Sequence, residues 1–384
     1  MKSSFTVKMF SMRGIKTSGN EGTKPLIESG SDGVGGVASV RSTQPDPDRN
    51  HKNLQEEVRQ FLTRALQSQP CCSEEDYVRL YVDVIPFIRA KTAGTVNAVV
   101  CDGVWAVCHR ELLQFVKRFK QQQTKELSNR AQTWKKNRKT FETIDFLKTL
   151  KTCKELRLYI HTAAGRIQPS LLTETVAELE DMEAVTIKLL MDVIAKMTES
   201  HLKDYFRSAQ KWLPLFTDLG KYFPKRPYAA DEQKLVIDNA YKIIARSYLT
   251  HLLQNSRFKL RRWSADVGPA VSMDARRLHQ TMENLAPGVQ ERNGILLSIK
   301  EVLECEDTDG LKLTVALMKQ DCTQNKADLD LLPELLQWKG LSRREVREVL
   351  DALPDDQYGA PRESWWRDFT CCVSTYCQQQ KPHI

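Results

Sequence analysis

A single apolar stripe constrains the fold of this 384-residue chain more than any other feature of its sequence. Its residues recur at three-to-four spacing and keep one face of a predicted helix over 170–206 apolar. They are Leu172, Val176, Leu179, Met182, Val185, Leu189, Val193 and Met197. Pro169 and Ser170 mark the start of this helix. A helix of roughly ten turns is typical of a coiled coil, a bundle or a helical rod rather than a small compact domain.

The same helical period recurs along most of the chain. It predicts helices over 96–119, 125–161 and 231–255, shorter helices between 272 and 338, and a loop at 267–270. Gly340 is predicted to end one helix, and Ser342 with Glu345 forms a capping box for the next. Strong helix formers dominate, and alternating β-branched runs are scarce. The sequence therefore predicts an all-α fold, an elongated rod of stacked helical bundles.

Composition divides the chain into three predicted regions. Residues 1–50 are rich in Ser, Gly, Thr, Pro and Asp and have no apolar period, which predicts a disordered N-terminal leader. Residues 51–165 are predicted to form an N-terminal helical region, and residues 166–384 a C-terminal helical-bundle rod. No stretch approaches about 18 uncharged apolar residues, so we expect no transmembrane helix. The ten scattered cysteines are typical of reduced thiols in a cytosolic protein.

Positive charge is concentrated in residues 117–154, here called the basic segment. Its twelve basic and three acidic residues give it a net charge of +9, above the +8 of the whole chain. This concentration predicts a field that attracts an acidic partner.

Within the basic segment, the candidate residues for binding a membrane or an acidic partner are Lys117, Arg118, Lys120, Trp134, Lys135, Lys136, Arg138 and Lys139. A tryptophan beside four cations is predicted to lie at an anionic membrane surface, where each cation contributes about 1 kcal/mol. A solvated helix face is the alternative, since charge runs usually have that role. No nucleic-acid partner is expected, because the segment lacks any motif with groove or stacking geometry.

Motifs for catalysis and metal binding are absent from the sequence. It contains no GxSxG, Walker or HExxH pattern, and its adjacent cysteine pairs lack the spacing of a structural zinc site. We therefore expect a protein that is not an enzyme, has no metal or cofactor, and works by binding.

Several passages in order along the chain are similar to one known family. They occupy residues 151–160, 200–206, 212–214 and 241–285, and residues 331–353 continue the pattern. In this respect the chain resembles the exocyst complex component 3 family, and most of all its 3-like and M-Sec branch (tumour necrosis factor alpha-induced protein 2). The resemblance extends over about residues 141–353 and lies in helical pattern rather than in a catalytic fingerprint.

The resemblance implies a tethering function. Members of the family are elongated stacks of helical bundles that associate with exocyst subunits, bind SNARE proteins and act in vesicle docking at the plasma membrane. For M-Sec-like members, phosphoinositide binding and membrane protrusion are also implied. The chain departs from the family in being short, since much of the N-terminal rod has no counterpart here.

A second basic cluster, formed by Arg257, Lys259, Arg261 and Arg262 beside Trp263, follows a predicted helix. In M-Sec-like relatives a C-terminal basic surface is implied in binding Ral-type small GTPases, and the resemblance places that function on this cluster. The alternative is that these cations stabilise the negative end of the preceding helix dipole.

We therefore predict a non-catalytic tethering or docking adaptor of the exocyst type, which binds exocyst subunits and SNARE proteins. The alternative is a phosphoinositide-binding peripheral membrane protein that promotes membrane protrusion, with a Ral-type small GTPase as a further partner. Either function predicts a cytoplasmic protein peripherally associated with the plasma membrane or vesicles.

Overall fold

The computed structural model of the protein describes residues 47–67, 81–93, 98–137, 143–208, 213–261, 263–321 and 326–351. The chain divides into two units, Met1–Pro45 and Asp46–Ile384. All the described residues belong to the second unit. The predicted leader lies outside them except at its end, where residues 47–50 are helical. Pro47 begins the first described helix, and its fixed φ suits a first helical position.

Helices account for nearly all of the described residues. The N-terminal half contains α1 (Pro47–Gln67), α2 (Tyr81–Ala93), α3 (Ala98–Asn137), α4 (Ile144–Thr162) and α5 (Pro169–Tyr205). The next elements are α6 (Leu215–Tyr222), α7 (Ala230–Leu253), α8 (Arg257–Leu260) and α9 (Val267–Leu285). The last are α10 (Gly294–Glu304), α11 (Thr308–Asp321), α12 (Leu332–Lys339) and α13 (Arg343–Asp351). Short 3-10 turns lie at Ala164–Arg166, Pro227–Ala229 and Lys326–Leu331.

The helices enclose two successive hydrophobic cores. The first core is built by α1, α2, the first half of α3, the second half of α4 and the start of α5; Leu62, Ile88 and Phe115 are fully buried in it. The second core takes the remaining halves of α3, α4 and α5 and the helices α6–α13. Since three helices run through both cores, the bundles are stacked end to end. The predicted all-α fold of stacked helical bundles is confirmed.

Helix ends agree with the sequence where a breaker residue marks them. The long helix predicted over 170–206 is α5, shifted by one residue at each end. The predicted break near residue 120 is wrong, because α3 is continuous from Ala98 to Asn137. The chain at 120–125 contains Lys, Gln and Thr but no Gly or Pro, so nothing there interrupts the backbone hydrogen bonds.

The loop predicted at residues 267–270 is also wrong. These residues are the first turn of α9, and Pro269 is the third residue of the helix. Proline is tolerated in a first turn, where its missing N–H would have no helical partner.

The predicted region boundary at residue 165 falls in the 3-10 turn between α4 and α5. Residues on both sides of it contribute to both cores. None of the helices within the described ranges is long and apolar enough to cross a membrane.

Candidate functional site

Several cations of the basic segment pair with acids on α5. The Lys117 ammonium lies 2.6 Å from Glu174, and that of Lys120 lies 2.7 Å from Glu178 and 2.5 Å from Asp181. The hydrogen bond to Glu174 raises the pKa of Lys117. Burial lowers the pKa of Lys120, but the carboxylates of Asp181 and Glu178 outweigh burial and raise it. These two lysines therefore hold α3 against α5.

A second group of cations in the segment pairs with acids near α4 and α7. The Lys154 ammonium lies 2.9 Å from Asp231 and 3.4 Å from the buried Glu232, which Lys151 approaches at 3.8 Å. Arg130 on α3 pairs with Asp145 on the first turn of α4 at 2.7 Å. Five acids that the fold brings from other helices thus offset part of the excess of +9 counted along the sequence.

Arg118 and Trp134 are directed inward. The Arg118 guanidinium lies 3.4 Å from the Thr63 hydroxyl on α1, and its Nε and Nη2 atoms are buried. Trp134 is only 4% exposed and belongs to the second core. This position disagrees with the predicted contact between the indole ring and a membrane surface. The reason is helical register, since Leu127, Ala131 and Trp134 share one buried face.

Lys135 and Lys136 remain at the surface at the end of α3. Both side chains are exposed, and neither forms an ion pair within the part of the chain that the structure describes. Arg138 and Lys139 lie outside the described residues. Of the eight predicted residues, Lys135 and Lys136 are those whose described side chains are positioned to meet an anionic partner.

The second basic cluster is described only in part. Lys259 and Arg261 are exposed, the backbone of Arg257 forms the first residue of α8, and Arg262 lies outside the described residues. Leu260 is buried in the second core between the two exposed cations. Trp263 packs against Tyr205 and Phe206 with ring centroids 5.7 and 5.1 Å away. The cluster therefore rests on a turn anchored by two apolar side chains.

The titratable side chains in the described cores, which include those that could bind a metal or react as nucleophiles, have the positions of buried packing residues. No group of three or more His, Cys, Asp or Glu side chains within the described ranges is placed to hold a metal ion. Burial raises the pKa of the Cys108 thiol to about 11 and that of Cys153 well above its ordinary value.

A buried hydrogen-bonded cluster escaped the sequence analysis. The Asp274 carboxylate accepts hydrogen bonds from the hydroxyls of Tyr205 at 2.6 Å and Tyr248 at 2.8 Å. All three residues lie in the passages that carry the family resemblance, at 200–206 and 241–285. Those passages therefore contribute to the joint between α5, α7 and α9, which is a structural element rather than an exposed site.

Comparison with known proteins finds a similarity in structure rather than in sequence family. No protein-family model and no curated protein matches the sequence. Among solved structures, the chain is similar to the C-terminal domain of the exocyst subunit Sec6p, with a TM-score of 0.38 and 13% sequence identity. The alignment covers 87% of this chain and 88% of that one.

Proposed function

We propose that the protein is a non-catalytic tethering or docking adaptor of the exocyst type. It binds exocyst subunits and SNARE proteins and acts in exocytosis, during vesicle docking at the plasma membrane. The observation that carries this proposal is the stack of two helical bundles joined by three shared helices. The sequence resemblance over residues 141–353 is the reason for proposing exocyst subunits and SNARE proteins as its partners.

The stacked architecture suits an adaptor for a mechanical reason. The 40 residues of α3 extend for about 60 Å at 1.5 Å per residue, and both α1 and α5 pack against this helix. Ion pairs between α3 and α5 and between α4 and α7 add contacts between the helices of this framework. Partners bound to different faces of such a framework are held at fixed separations, as tethering requires.

Recovery of partners with the full-length protein at its endogenous level tests the proposal. We expect exocyst subunits and SNARE proteins to co-purify with it, and purified SNARE proteins to bind it directly. A matched variant, Lys135→Gln with Lys136→Gln, is expected to retain these protein partners, because the proposed contacts are made by helical surfaces elsewhere. Recovery of neither class of partner would contradict the adaptor function.

A second candidate function is phosphoinositide binding by a peripheral membrane protein that promotes membrane protrusion. The exposure of Lys135 and Lys136, followed in sequence by Arg138 and Lys139, favours it. Clusters of basic residues at a surface bind anionic headgroups, and each contributes about 1 kcal/mol. This function places the protein in the cytoplasm, at the inner face of the plasma membrane or on vesicles.

Sedimentation with vesicles across a salt series tests the second candidate. Binding to vesicles containing phosphatidylinositol bisphosphate is expected at low salt and should weaken steeply as salt is added, because screening acts on exposed charges. Lys135→Glu with Lys136→Glu should abolish it. Binding that is equally strong to neutral vesicles, or absent at low salt, would contradict a phosphoinositide site.

A Ral-type small GTPase is the proposed further partner of the second basic cluster. Lys259 and Arg261 are its exposed described members. Lys259→Glu with Arg261→Glu is expected to reduce capture of the protein by an immobilised GTP-loaded Ral-type GTPase, while vesicle binding is unchanged. Equal capture of wild type and variant would remove the cluster from the proposal.

A further inference from the structure

Two exposed lysines far from the basic segment in sequence lie at the connection between α6 and α7. Lys221 is on the last turn of α6, and Lys225 follows four residues later. Neither side chain forms an ion pair with a described residue; the Lys221 ammonium lies over the Tyr222 ring, 5.6 Å from its centroid. Tyr222 and Phe223 are buried in the second core, so this connection is anchored while its lysines face outward.

The fold brings this connection to the start of α4. The Thr143 hydroxyl donates a buried 2.7 Å hydrogen bond to the backbone carbonyl of Tyr222. Thr143 directly precedes α4 and is therefore one residue from its first turn. Lys221 and Lys225 consequently lie at the end of the bundle where α4 begins.

The exposed end of α3 lies at this same end of the bundle. Arg130 on α3 pairs with Asp145 on the first turn of α4. This ion pair shows that residue 130 of α3 lies beside the first turn of α4. Lys135 and Lys136 are five and six residues beyond Arg130, or about 8–9 Å further along the α3 axis at 1.5 Å per residue. The end of α3 and the α6–α7 connection thus flank the same α4 terminus.

Asp145 on α4 and Asp218 on α6 are two acidic side chains on the helices that meet near this terminus. Asp145 is largely buried beside Arg130, and Asp218 on α6 lies 3.0 Å from the His201 imidazole. Arg130 neutralises Asp145, whereas the His201 imidazole neutralises Asp218 only when it is protonated. The four exposed lysines therefore keep an excess of at least three positive charges over these two carboxylates. A membrane surface does not require adjacent lysines, because each charge within a Debye length of about 10 Å of the surface is attracted to it separately.

We propose that Lys135, Lys136, Lys221 and Lys225 form one composite patch that binds the phosphate-bearing headgroups of an anionic membrane. This inference rests on the second candidate function and extends its site to the α6–α7 connection. The four described lysines of the patch reach the range of about four to eight basic residues typical of polybasic lipid-binding clusters.

The chemistry of the patch favours a lipid surface over an acidic protein. A lysine ammonium meets phosphate as a point charge without the fixed bidentate geometry of arginine, which suits a fluid layer of headgroups. The four lysines are also exposed, as contact with a membrane surface requires. An acidic protein segment is the competing occupant, and the experiment distinguishes it.

The test measures binding of the full chain to phosphatidylcholine vesicles with and without phosphatidylinositol bisphosphate. Lys221→Gln with Lys225→Gln is expected to weaken binding about 25-fold, at about fivefold for each neutralised lysine. Lys221→Arg with Lys225→Arg keeps the charge and should bind as wild type does. Arg343→Gln with Arg344→Gln removes the same charge from exposed positions on α13 and should also leave binding unchanged. Circular dichroism confirms that each variant is folded.

The outcomes separate the inference from the function on which it rests. Wild-type binding that is lost in Lys135→Gln with Lys136→Gln but unchanged in Lys221→Gln with Lys225→Gln overturns the composite patch and leaves the membrane function standing. Absence of wild-type binding to bisphosphate vesicles at low salt overturns both. Binding to a polyglutamate peptide, without vesicle binding and with loss in the Lys221 and Lys225 variant, overturns the lipid assignment in favour of an acidic protein.

Discussion

The buried carboxylate of Asp274 joins three helices through two tyrosine hydroxyls. Tyr205 comes from the end of α5 and Tyr248 from α7, and Arg277 lies 3.7 Å from the other carboxylate oxygen. Burial raises the pKa of Asp274 above its ordinary 3.8, although both hydroxyls and Arg277 act in the opposite direction. The ionised group is therefore held in a site that favours its protonated form.

The raised pKa of Asp274 predicts a specific pH dependence of stability. The folded protein binds the proton more tightly than the unfolded chain, so this group's contribution to the free energy of unfolding rises as pH falls through the folded pKa toward 3.8. Asp274→Asn cannot titrate. The free energy of unfolding of wild type relative to this variant, measured by urea denaturation, should therefore increase as the pH is lowered from neutral toward that value. A difference that stays constant, or falls, would contradict the raised pKa.

Thiol reactivity is predicted to follow burial. Cys108 and Cys153 are buried with raised pKa values, so little reactive thiolate forms there at neutral pH, whereas Cys305 is partly exposed. We expect a maleimide to label Cys305 in the native protein, and Cys108 and Cys153 only after denaturation. Peptide mass spectrometry after brief labelling checks this. Native labelling of Cys153 as fast as that of Cys305 would show that the first core opens readily.

At the scale of the element, the junction of α12 and α13 depends on one glycine. Gly340 has φ of +120° and lets the Leu341 amide donate to the Leu336 carbonyl at 3.2 Å, which closes α12. Gly340→Ala should destabilise the protein by about 1–2 kcal/mol, because a Cβ disfavours this left-handed backbone. Denaturant titration measures the loss. Gly220→Ala, in the helical backbone of α6 with open space around its Cβ, is the matched control and should not destabilise the protein.

The α12–α13 junction also shows which elements sequence reasoning predicts well. Both its features were predicted: Gly340 ends α12, and Ser342 and Glu345 exchange backbone-to-side-chain hydrogen bonds at 2.7 and 3.3 Å. Residues 138–143 carry no Gly or Pro, so the end of α3 at Asn137 has no comparable signal and was missed. A helix end marked by a residue such as Gly340 is readable from sequence, whereas the end of α3 carries no such mark.

The candidate site was predictable only in part, because the sequence shows how many charged residues there are but not which of them form ion pairs in the fold. Nothing local distinguishes Lys120, which is paired with α5, from Lys136, which is exposed. The burial of Trp134 did have a signal, its three-to-four spacing from Leu127 and Ala131. Lys221 had none, since its position beside the start of α4 depends on a tertiary hydrogen bond between Thr143 and Tyr222.

At the scale of the whole molecule, α3, α4 and α5 couple the two cores. Each helix contributes side chains to both, so the first core cannot lose these helices without removing part of the second. The coupling distinguishes two views of the chain. Predicted regions divided at residue 165 would be expected to unfold independently, whereas shared helices favour one cooperative transition.

Hydrogen exchange on core variants decides between these views. Leu112→Ala removes a buried side chain from the first core and should cost about 2–5 kcal/mol. If the shared helices couple the cores, exchange should accelerate in the first core and also in α7 and α9, which belong only to the second. The reciprocal variant, Ile244→Ala on α7, should accelerate exchange in the part of α3 around Phe115. Effects confined to the mutated core in both variants would mean that α3, α4 and α5 are packed in both cores but do not transmit stability between them.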